Sequence, residues 1–224
     1  MTTLFLVRHG LTAQTGRILY GRTTGISLDA RGVAQAAGLV DRFDGVRVTA
    51  IYSSPLARCV QTVEPLAAAR RLSVRTDDAL IEMDAGEWTG RTLGQLRRRK
   101  AWHTVQRSPS AFAFPGGGEA FTDAQARVVA GLERIARRHR SGRVVVATHG
   151  DIARIALAHF AAAPLDEFQR IVIDTAAVSV LELGGPRPHV VLMNDTGGLG
   201  RFRATPDAPW EAGGGSPRRP KVRG

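Results

Sequence analysis

The sequence predicts an α/β fold in which one β-sheet carries helices on both of its faces. Short apolar runs such as "LFLV" (4–7) and "VVVA" (144–147) are typical of buried strands. Segments with apolar residues at helical spacing separate these runs. Strands that alternate with helices along the chain are typical of α/β proteins.

The composition is that of a soluble globular protein, and the length suffices for one large domain or two small ones. The chain has 224 residues, of which 43% are hydrophobic and 23% are charged. No apolar run is long enough to span a bilayer, and the N-terminus lacks the basic and apolar regions of a signal peptide. The single cysteine, Cys59, excludes an internal disulfide framework and a cysteine-rich metal site. We therefore expect a cytoplasmic enzyme.

After the first strand, the first half of the chain is predicted to contain two helices and two further strands. The first helix begins near Ser27, and its apolar residues share one face: Val33, Ala36, Ala37, Val40 and Phe43. The strand in "VTAIYSSP" (48–55) leads into the second helix, for which Ser53 or Ser54 is the predicted cap and Pro55 the first residue. "LSVRT" (72–76) is predicted to be the next strand.

The second half returns to the sheet after an irregular segment. Residues 91–117 begin as a helix and end as a loop rich in Ser, Pro and Gly. A long helix over roughly 119–140, the strand in "RVVVATHG" (143–150), a helix after it, and closing strands within 170–195 follow. We predict one domain over residues 1–203, with 91–117 as a cap-like excursion, and a flexible basic tail over 204–224.

The formal net charge of +11 would attract anions of many kinds. Part of it is concentrated in "RRRK" (97–100) and in the tail. We interpret most of these side chains as a solvated basic surface. A nucleic-acid-binding protein is an alternative, but no recognised nucleic-acid-binding motif is present, and only 6% of the residues are aromatic.

Two apolar strands end in the same dipeptide, because His9–Gly10 follows the first strand and His149–Gly150 follows the strand at 143–148. Open α/β sheets bind ligands outside the carboxyl ends of their parallel strands, so both histidines are predicted to meet at that edge. The two glycines would let the backbone approach a ligand closely.

Arginines reach the same predicted edge. Arg8 precedes His9, and Arg58 lies in the first turn of the second helix. A helix N-terminus favours anions, and a guanidinium group matches phosphate oxygens. Two arginines, two histidines and a helix N-terminus at one edge predict a site for a phosphoryl group.

A proton donor is also needed, because an alkoxide is a poor leaving group. The segment "ALIEMDAGEWTG" (79–90) supplies Glu82, Asp84 and Glu87. Glu82 follows two apolar residues, so we expect it to be partly desolvated, which would raise its pKa and keep it protonated.

Together these residues resemble the motifs of the histidine phosphatase superfamily, also called the phosphoglycerate-mutase-like family. The matching segments occur in family order and cover nearly all of the chain except residues 91–114 and the tail: "VRHGLT" (7–12), "SLDARGVAQA" (27–36), "YSSPLARCVQT" (52–62), "EMDAGEWTG" (82–90), "PGGGEAFTDAQARV" (115–128) and "ATHGDIAR" (147–154).

The resemblance implies a three-layer α/β/α sandwich around a mostly parallel sheet. It also implies a metal-free mechanism through a phosphohistidine. His9 would be the nucleophile, and Glu82 would be the proton donor. The phosphoryl oxygens would be bound by Arg8, Arg58 and His149.

The loop after the first strand departs from the family pattern. Thr15 stands where an asparagine that helps to bind phosphate is expected, and Gln14 where a tryptophan is expected. Ala120 replaces a frequent serine. Tyr20 and Gly21 lie on the loop that should border the substrate. We therefore assign Thr15, Tyr20, Gly21 and Gly150 to substrate binding.

The same motifs fit a phosphatase or a phosphomutase. True phosphoglycerate mutases carry an insertion after the GxWxG segment with a Tyr-Asp pair and a proline run, and residues 91–114 have neither. We therefore favour a phosphatase acting on a small phosphorylated metabolite without a cofactor. A metallohydrolase using His9, His149 and Asp151 is an alternative, but no short metal-binding motif is present.

Two further residues are interpreted as structural. Cys59 shares helical spacing with other apolar residues, which favours a packed thiol over a redox sensor. Trp88 is predicted to fill the core, with the floor of the pocket as the alternative position. The oligomeric state stays open, and a homodimer is one of the alternatives.

Overall fold

The computed structural model describes residues 1–197, and these contain a sheet of six strands with the order β4-β3-β6-β1-β7-β8. The strands are β1 (Thr2–Arg8), β3 (Ala50–Ser53), β4 (Val74–Thr76), β6 (Arg143–Thr148), β7 (Val178–Leu183) and β8 (His189–Asp195). A second, two-stranded sheet pairs β2 (Ile18–Leu19) with β5 (Arg91–Thr92).

The register of the large sheet aligns the ends of its central strands. β1 runs parallel to β6, and Arg8 pairs with Thr148. β3 is parallel to β6, whereas β7 is antiparallel to β1. His9 and His149 therefore leave the sheet side by side.

Helices cover both faces of the sheet, so the predicted three-layer fold is confirmed. The helices are α1 (Ala30–Arg42), α2 (Ala57–Arg70), α3 (Leu93–Leu96), α4 (Lys100–Arg107), α5 (Phe121–Arg138) and α6 (Gly150–Phe160), of which α1 and α2 cover one face and α5 and α6 the other. Side chains of β1 alternate between the faces, as the period of a strand requires. Phe5 and Val7 join the core under α1 and α2, whereas Leu4 and Leu6 join the core under α5 and α6.

Several predicted boundaries are wrong. The helix α1 begins at Ala30 rather than near Ser27, and the side chain of its cap, Asp29, accepts a hydrogen bond from the backbone N–H of Gly32. The helix α2 begins at Ala57, with no side-chain cap, because Leu56 keeps an extended backbone. Pro55 is therefore outside the helix, and Ser54 makes a different contact that is described below.

The irregular segment and the closing strands also differ in detail. Residues 91–107 form β5 and two short helices rather than one helix, because Arg97–Arg99 interrupt the helical backbone. Residues 170–173 are not a strand, since a 3₁₀ turn over Leu165–Arg170 leads into an extended loop.

In the part of the chain that the structure describes, no helix is both long and apolar enough to cross a membrane. The predicted tail at 204–224 lies outside the described residues. The domain boundary at 203 therefore stays a prediction.

Candidate active site

The ends of β1 and β6 bring the two predicted histidines into contact. The rings of His9 and His149 lie edge to face, with their centroids 5.4 Å apart. Both side chains are buried, with relative exposures of 2% and 0%. The parallel register of the two strands is the direct cause of this contact.

The hydrogen bond of His9 fixes which ring nitrogen carries the lone pair. Its Nδ1 lies 2.8 Å from the carbonyl oxygen of Gly10, so Nδ1 carries the proton and donates it to that oxygen. The other nitrogen, Nε2, is left with a lone pair. Burial, assisted by the charges of Arg58 and Arg8, lowers the pKa of His9 to about 3. The imidazole is therefore neutral near pH 7.

His149 is enclosed on several sides. Its Nε2 lies 2.8 Å from Oγ of Ser54 and 3.4 Å from Sγ of Cys59. Its Nδ1 lies 3.8 Å from Oε2 of Glu82. Burial and the charge of Arg58 lower the pKa of His149 well below its usual value. This imidazole too is held neutral.

Two guanidinium groups lie beside the histidines without a carboxylate partner. Arg58 is fully buried, donates from Nη2 to the carbonyl of Gly21 (2.8 Å), and lies 4.6 Å from the ring centre of Tyr20. Arg8 donates from Nη1 to the carbonyl of Ile173. Within residues 1–197, neither Nε has a hydrogen-bond partner, and neither guanidinium forms an ion pair. Buried cations normally have anionic partners, so this arrangement favours an anionic ligand.

Glu82 lies on the far side of His149 from Ser54. Its side chain is 17% exposed, and its Oε1 accepts a hydrogen bond of 3.0 Å from the backbone N–H of Met83. Burial, with a smaller effect of the nearby charge on Asp151, raises the pKa of Glu82 to about 7. A substantial fraction of the carboxyl groups is therefore protonated at neutral pH.

All nine predicted site residues come together at this edge of the sheet. A cavity of about 320 Å³ is lined by Arg8, His9, Thr15, Tyr20, Gly21, Glu82 and Gly150. Arg58 and His149 lie behind this lining, in contact with it. Oγ1 of Thr15 is 3.0 Å from the hydroxyl of Thr12, so the threonine at the expected asparagine position is held by the loop.

Glycine at position 150 gives the guanidinium group of Arg8 space at the start of α6. A Cβ atom at position 150 would lie 3.1 Å from Nε of Arg8, which is tighter than an ordinary contact. Gly150 therefore leaves room for the guanidinium group at the start of α6.

Sequence reasoning missed several residues at this site. The sequence indicates Ser54 only as a possible helix cap and Asp151 only as a possible metal ligand. In the structure Ser54 contacts His149, and Asp151 lines the cavity. Arg154, which pairs with Asp151 at 3.1 Å, also lines the cavity. Arg22 donates to the carbonyl of Glu82 and forms an ion pair with Glu119, and nothing in the sequence pattern indicates these contacts.

Other interpretations agree with the structure. Cys59 is fully buried, and burial raises the pKa of its thiol, as expected for a packed core residue. Trp88 is 1% exposed and belongs to the core, although it also contributes to the cavity floor. The basic run at 97–100 is exposed and does not line the cavity, which agrees with a solvated surface.

The alternative metal site finds no support in the geometry. Over residues 1–197, no group of three or more His, Cys, Asp or Glu side chains is arranged to hold a metal ion. His9, His149 and Asp151 therefore do not form a ligand set in this structure.

Comparisons with known proteins place the chain among phosphatases of one superfamily. Residues 4–196 match the model of the histidine phosphatase superfamily, branch 1. Phosphoserine phosphatase 1 of Hydrogenobacter thermophilus is 30% identical over 207 residues, which are 90% of this chain and 96% of that protein. The metal-independent phosphoserine phosphatase of Arabidopsis thaliana is 29% identical over 168 residues, 69% of this chain and 66% of that protein.

A solved structure agrees with the same assignment. The structure of Bacillus stearothermophilus YhfR is similar with a TM-score of 0.81 at 30% identity, and the match covers 88% of this chain and 98% of that one. These similarities support a phosphatase in general terms.

Proposed function

The chain belongs to branch 1 of the histidine phosphatase superfamily, and on this premise we propose that it is a metal-independent phosphatase. It hydrolyses a small phosphomonoester through a phosphohistidine at His9. The observation that carries the proposal is the neutral, buried His9, whose Nδ1 is occupied by Gly10 and which lies beside two arginines without carboxylate partners.

Binding places the phosphoryl group between the cations. Arg8 and Arg58 bind its oxygens through the N–H groups that lack protein partners. Thr15, on the lining of the cavity, offers a hydroxyl group. Positive charge on both arginines also stabilises the charge that the equatorial oxygens carry in the transition state.

Ser54 sets the proton position on His149 in this proposal. The Ser54 Oγ atom accepts a long hydrogen bond from the backbone N–H of Leu56 (3.4 Å), and its hydroxyl group donates to Nε2 of His149, 2.8 Å away. The remaining proton of His149 is then on Nδ1, the nitrogen nearer to Glu82. In this tautomer His149 donates a hydrogen bond to a phosphoryl oxygen.

In the first chemical step, Nε2 of His9 attacks phosphorus, and the bond from phosphorus to the ester oxygen breaks. Glu82, whose pKa is raised to about 7, gives its proton to the departing oxygen. The products of this step are the free alcohol, phosphohistidine and the Glu82 carboxylate.

In the second step, the Glu82 carboxylate takes a proton from water, and the water oxygen attacks phosphorus. The bond between phosphorus and Nε2 breaks, which releases inorganic phosphate. His9 is neutral again and Glu82 is again protonated, so the cycle closes without a metal ion or a redox step.

The experiment that tests this proposal measures phosphate release from a panel of phosphomonoesters, with and without EDTA. We expect turnover that EDTA leaves unchanged and that the His9→Ala variant lacks. A sample quenched in alkali should contain an acid-labile phosphohistidine. Undiminished turnover by His9→Ala, loss of turnover in EDTA, or efficient interconversion of 3- and 2-phosphoglycerate with little hydrolysis would overturn it.

A further inference from the structure

The cavity has a second part, beyond the phosphoryl site, whose surface is apolar. Four half-buried side chains form what we term the apolar wall: Ile18, Leu19, Leu93 and Trp102. Buried aromatic side chains form its floor, namely Trp88, Phe114, Phe121 and Phe168. The half-buried members expose apolar surface that a ligand in the cavity would cover.

Separate segments converge to build the apolar wall. Ile18 in β2 pairs with Thr92 in β5, and this pairing holds the loop after His9 against the start of α3, where Leu93 lies. Trp102 and Val105 are three residues apart in α4, so both lie on the helix face that lines the cavity. The Trp102 ring stacks on Trp88, with centroids 6.2 Å apart.

The charged side chains of this second part, Arg154 and Asp151, form an ion pair with each other. Nη1 of Arg154 lies 3.1 Å from Oδ1 of Asp151, and its buried Nε has no hydrogen-bond partner within residues 1–197. The Gln169 side chain donates to the carbonyl of Val105. The basic residues of 97–100 do not line the cavity. A second anionic group on the substrate would therefore meet mainly apolar surface and one neutralised arginine.

We infer that the preferred substrates are phosphomonoesters of an apolar alcohol, with an alkyl or aryl group that packs against the apolar wall. Phosphorylated amino acids and phosphorylated hydroxy acids are disfavoured, because their charged groups would be desolvated against mostly apolar side chains, and the guanidinium group of Arg154 already has a carboxylate partner in Asp151. This inference rests on the proposed function and specifies its substrate class. It differs from the substrate that the names of the Hydrogenobacter and Arabidopsis relatives give for those proteins.

A series of n-alkyl phosphates tests this inference without changing the leaving-group chemistry. Ethyl, butyl and hexyl phosphate release alcohols of nearly equal acidity, so differences in kcat/KM report contacts of the chain. Burial of a methylene group predicts an increase of about fourfold for each one that reaches the apolar wall, until the cavity is filled. Phosphoserine and 3-phosphoglycerate should be at least about tenfold poorer than hexyl phosphate.

Two variants in α4 test whether the dependence of kcat/KM on chain length comes from contact with Trp102. Trp102→Ala should lower kcat/KM for hexyl phosphate by about tenfold and leave ethyl phosphate nearly unchanged. His103→Ala, on an exposed position of the same helix, should change neither value. Thermal unfolding of both variants shows whether each is folded.

The outcomes separate this inference from the proposed function. If phosphoserine or 3-phosphoglycerate is preferred and the alkyl series is flat, the inference is wrong while the phosphatase proposal stands. An equal loss for ethyl and hexyl phosphate in Trp102→Ala would also overturn the inference. If no phosphomonoester is hydrolysed, the proposed function itself fails.

Discussion

The ends of β1 and β6 carry the same dipeptide at the same edge of the sheet, yet their histidines have different surroundings. His9 has one nitrogen bonded to its neighbour's carbonyl and borders the cavity. His149 has no exposed surface and is in contact with Ser54, Cys59 and Glu82. The sheet supplies both positions in the same way, because the two strands are parallel and in register.

This comparison indicates that the His-Gly dipeptide at a strand end fixes where each histidine lies, whereas the surrounding side chains determine what it can do. A histidine with a free Nε2 beside a phosphoryl site can act as a nucleophile. His149, whose Nε2 contacts Ser54 and which does not line the cavity, can bind or orient a group next to its Nδ1. The experiments below test this difference, beginning with the largest effect.

Replacing each histidine by glutamine should give unequal losses. His9→Gln removes the nucleophile, so kcat should fall by roughly 10⁴-fold or more. His149→Gln removes one hydrogen-bond donor to the phosphoryl group, so kcat should fall by about 10²-fold. Rapid-quench labelling with a radioactive phosphomonoester should find phosphohistidine only in His149→Gln. Equal losses, with label absent from both variants, would contradict the assigned roles.

Glu82, which neighbours the histidine at the end of β6, should control the pH profile. Glu82 must be protonated to act, and its pKa is raised to about 7, so kcat/KM for an alkyl phosphate should decrease tenfold per pH unit above that value. The pKa of His9 is lowered to about 3, so His9 should add no decrease between pH 4 and 7. Glu82→Gln should lower the rate by roughly 10³-fold and abolish the alkaline decrease.

The charge of Asp151 provides a control for this assignment. Because that charge raises the pKa of Glu82, Asp151→Asn should move the alkaline decrease to lower pH. The substrate's own ionisation near pH 6 is common to all of these enzymes and cancels in their comparison. An unchanged alkaline decrease in Glu82→Gln would assign it to another group.

Removing the hydroxyl group that orients His149 should have a smaller effect. Ser54→Ala leaves Nε2 of His149 without its 2.8 Å partner, so kcat should fall by about tenfold. The adjacent Ser53 donates to the carbonyl of Ser54 and does not touch His149, so Ser53→Ala is the matched control. If both variants lose activity equally, Ser54 supports the local fold rather than the tautomer of His149.

The thiol beside His149 should have the smallest effect on rate. Cys59 is fully buried with its pKa raised, so a thiol reagent should label the chain only after denaturation. Cys59→Ala should lower the free energy of unfolding by about 1 kcal/mol and change kcat less than twofold. Rapid labelling of the native protein would instead favour the redox-sensor interpretation.

The sequence contained enough information to predict the phosphoryl site because its residues follow strand ends. His9, His149 and Arg58 sit at positions that the geometry of a parallel sheet brings together, whatever the intervening chain does. Two apolar neighbours and the family motif both predict Glu82 as the acid, and burial does raise its pKa.

The apolar part of the cavity was not predictable in the same way. Trp102 and Val105 lie in a segment that the basic run at 97–100 makes appear solvated. Phe114 comes from a loop and Phe168 from the 3₁₀ turn over Leu165–Arg170, and no spacing rule relates them to α4. The predicted start of α2 is also wrong because of a contact between distant residues. Ser54 contacts His149 at the end of the neighbouring strand β6 and does not cap the helix.

The position of β1 in the sheet also has a consequence for protein synthesis. Its two neighbours are β6 and β7, and Thr3 pairs with Arg143 and Glu182. A nascent chain that stops before residue 143 contains α1 and α2 but no strand to pair with β1, so its apolar residues stay exposed on the ribosome. Such distant pairing predicts slow folding and a need for protection from aggregation until β6 emerges.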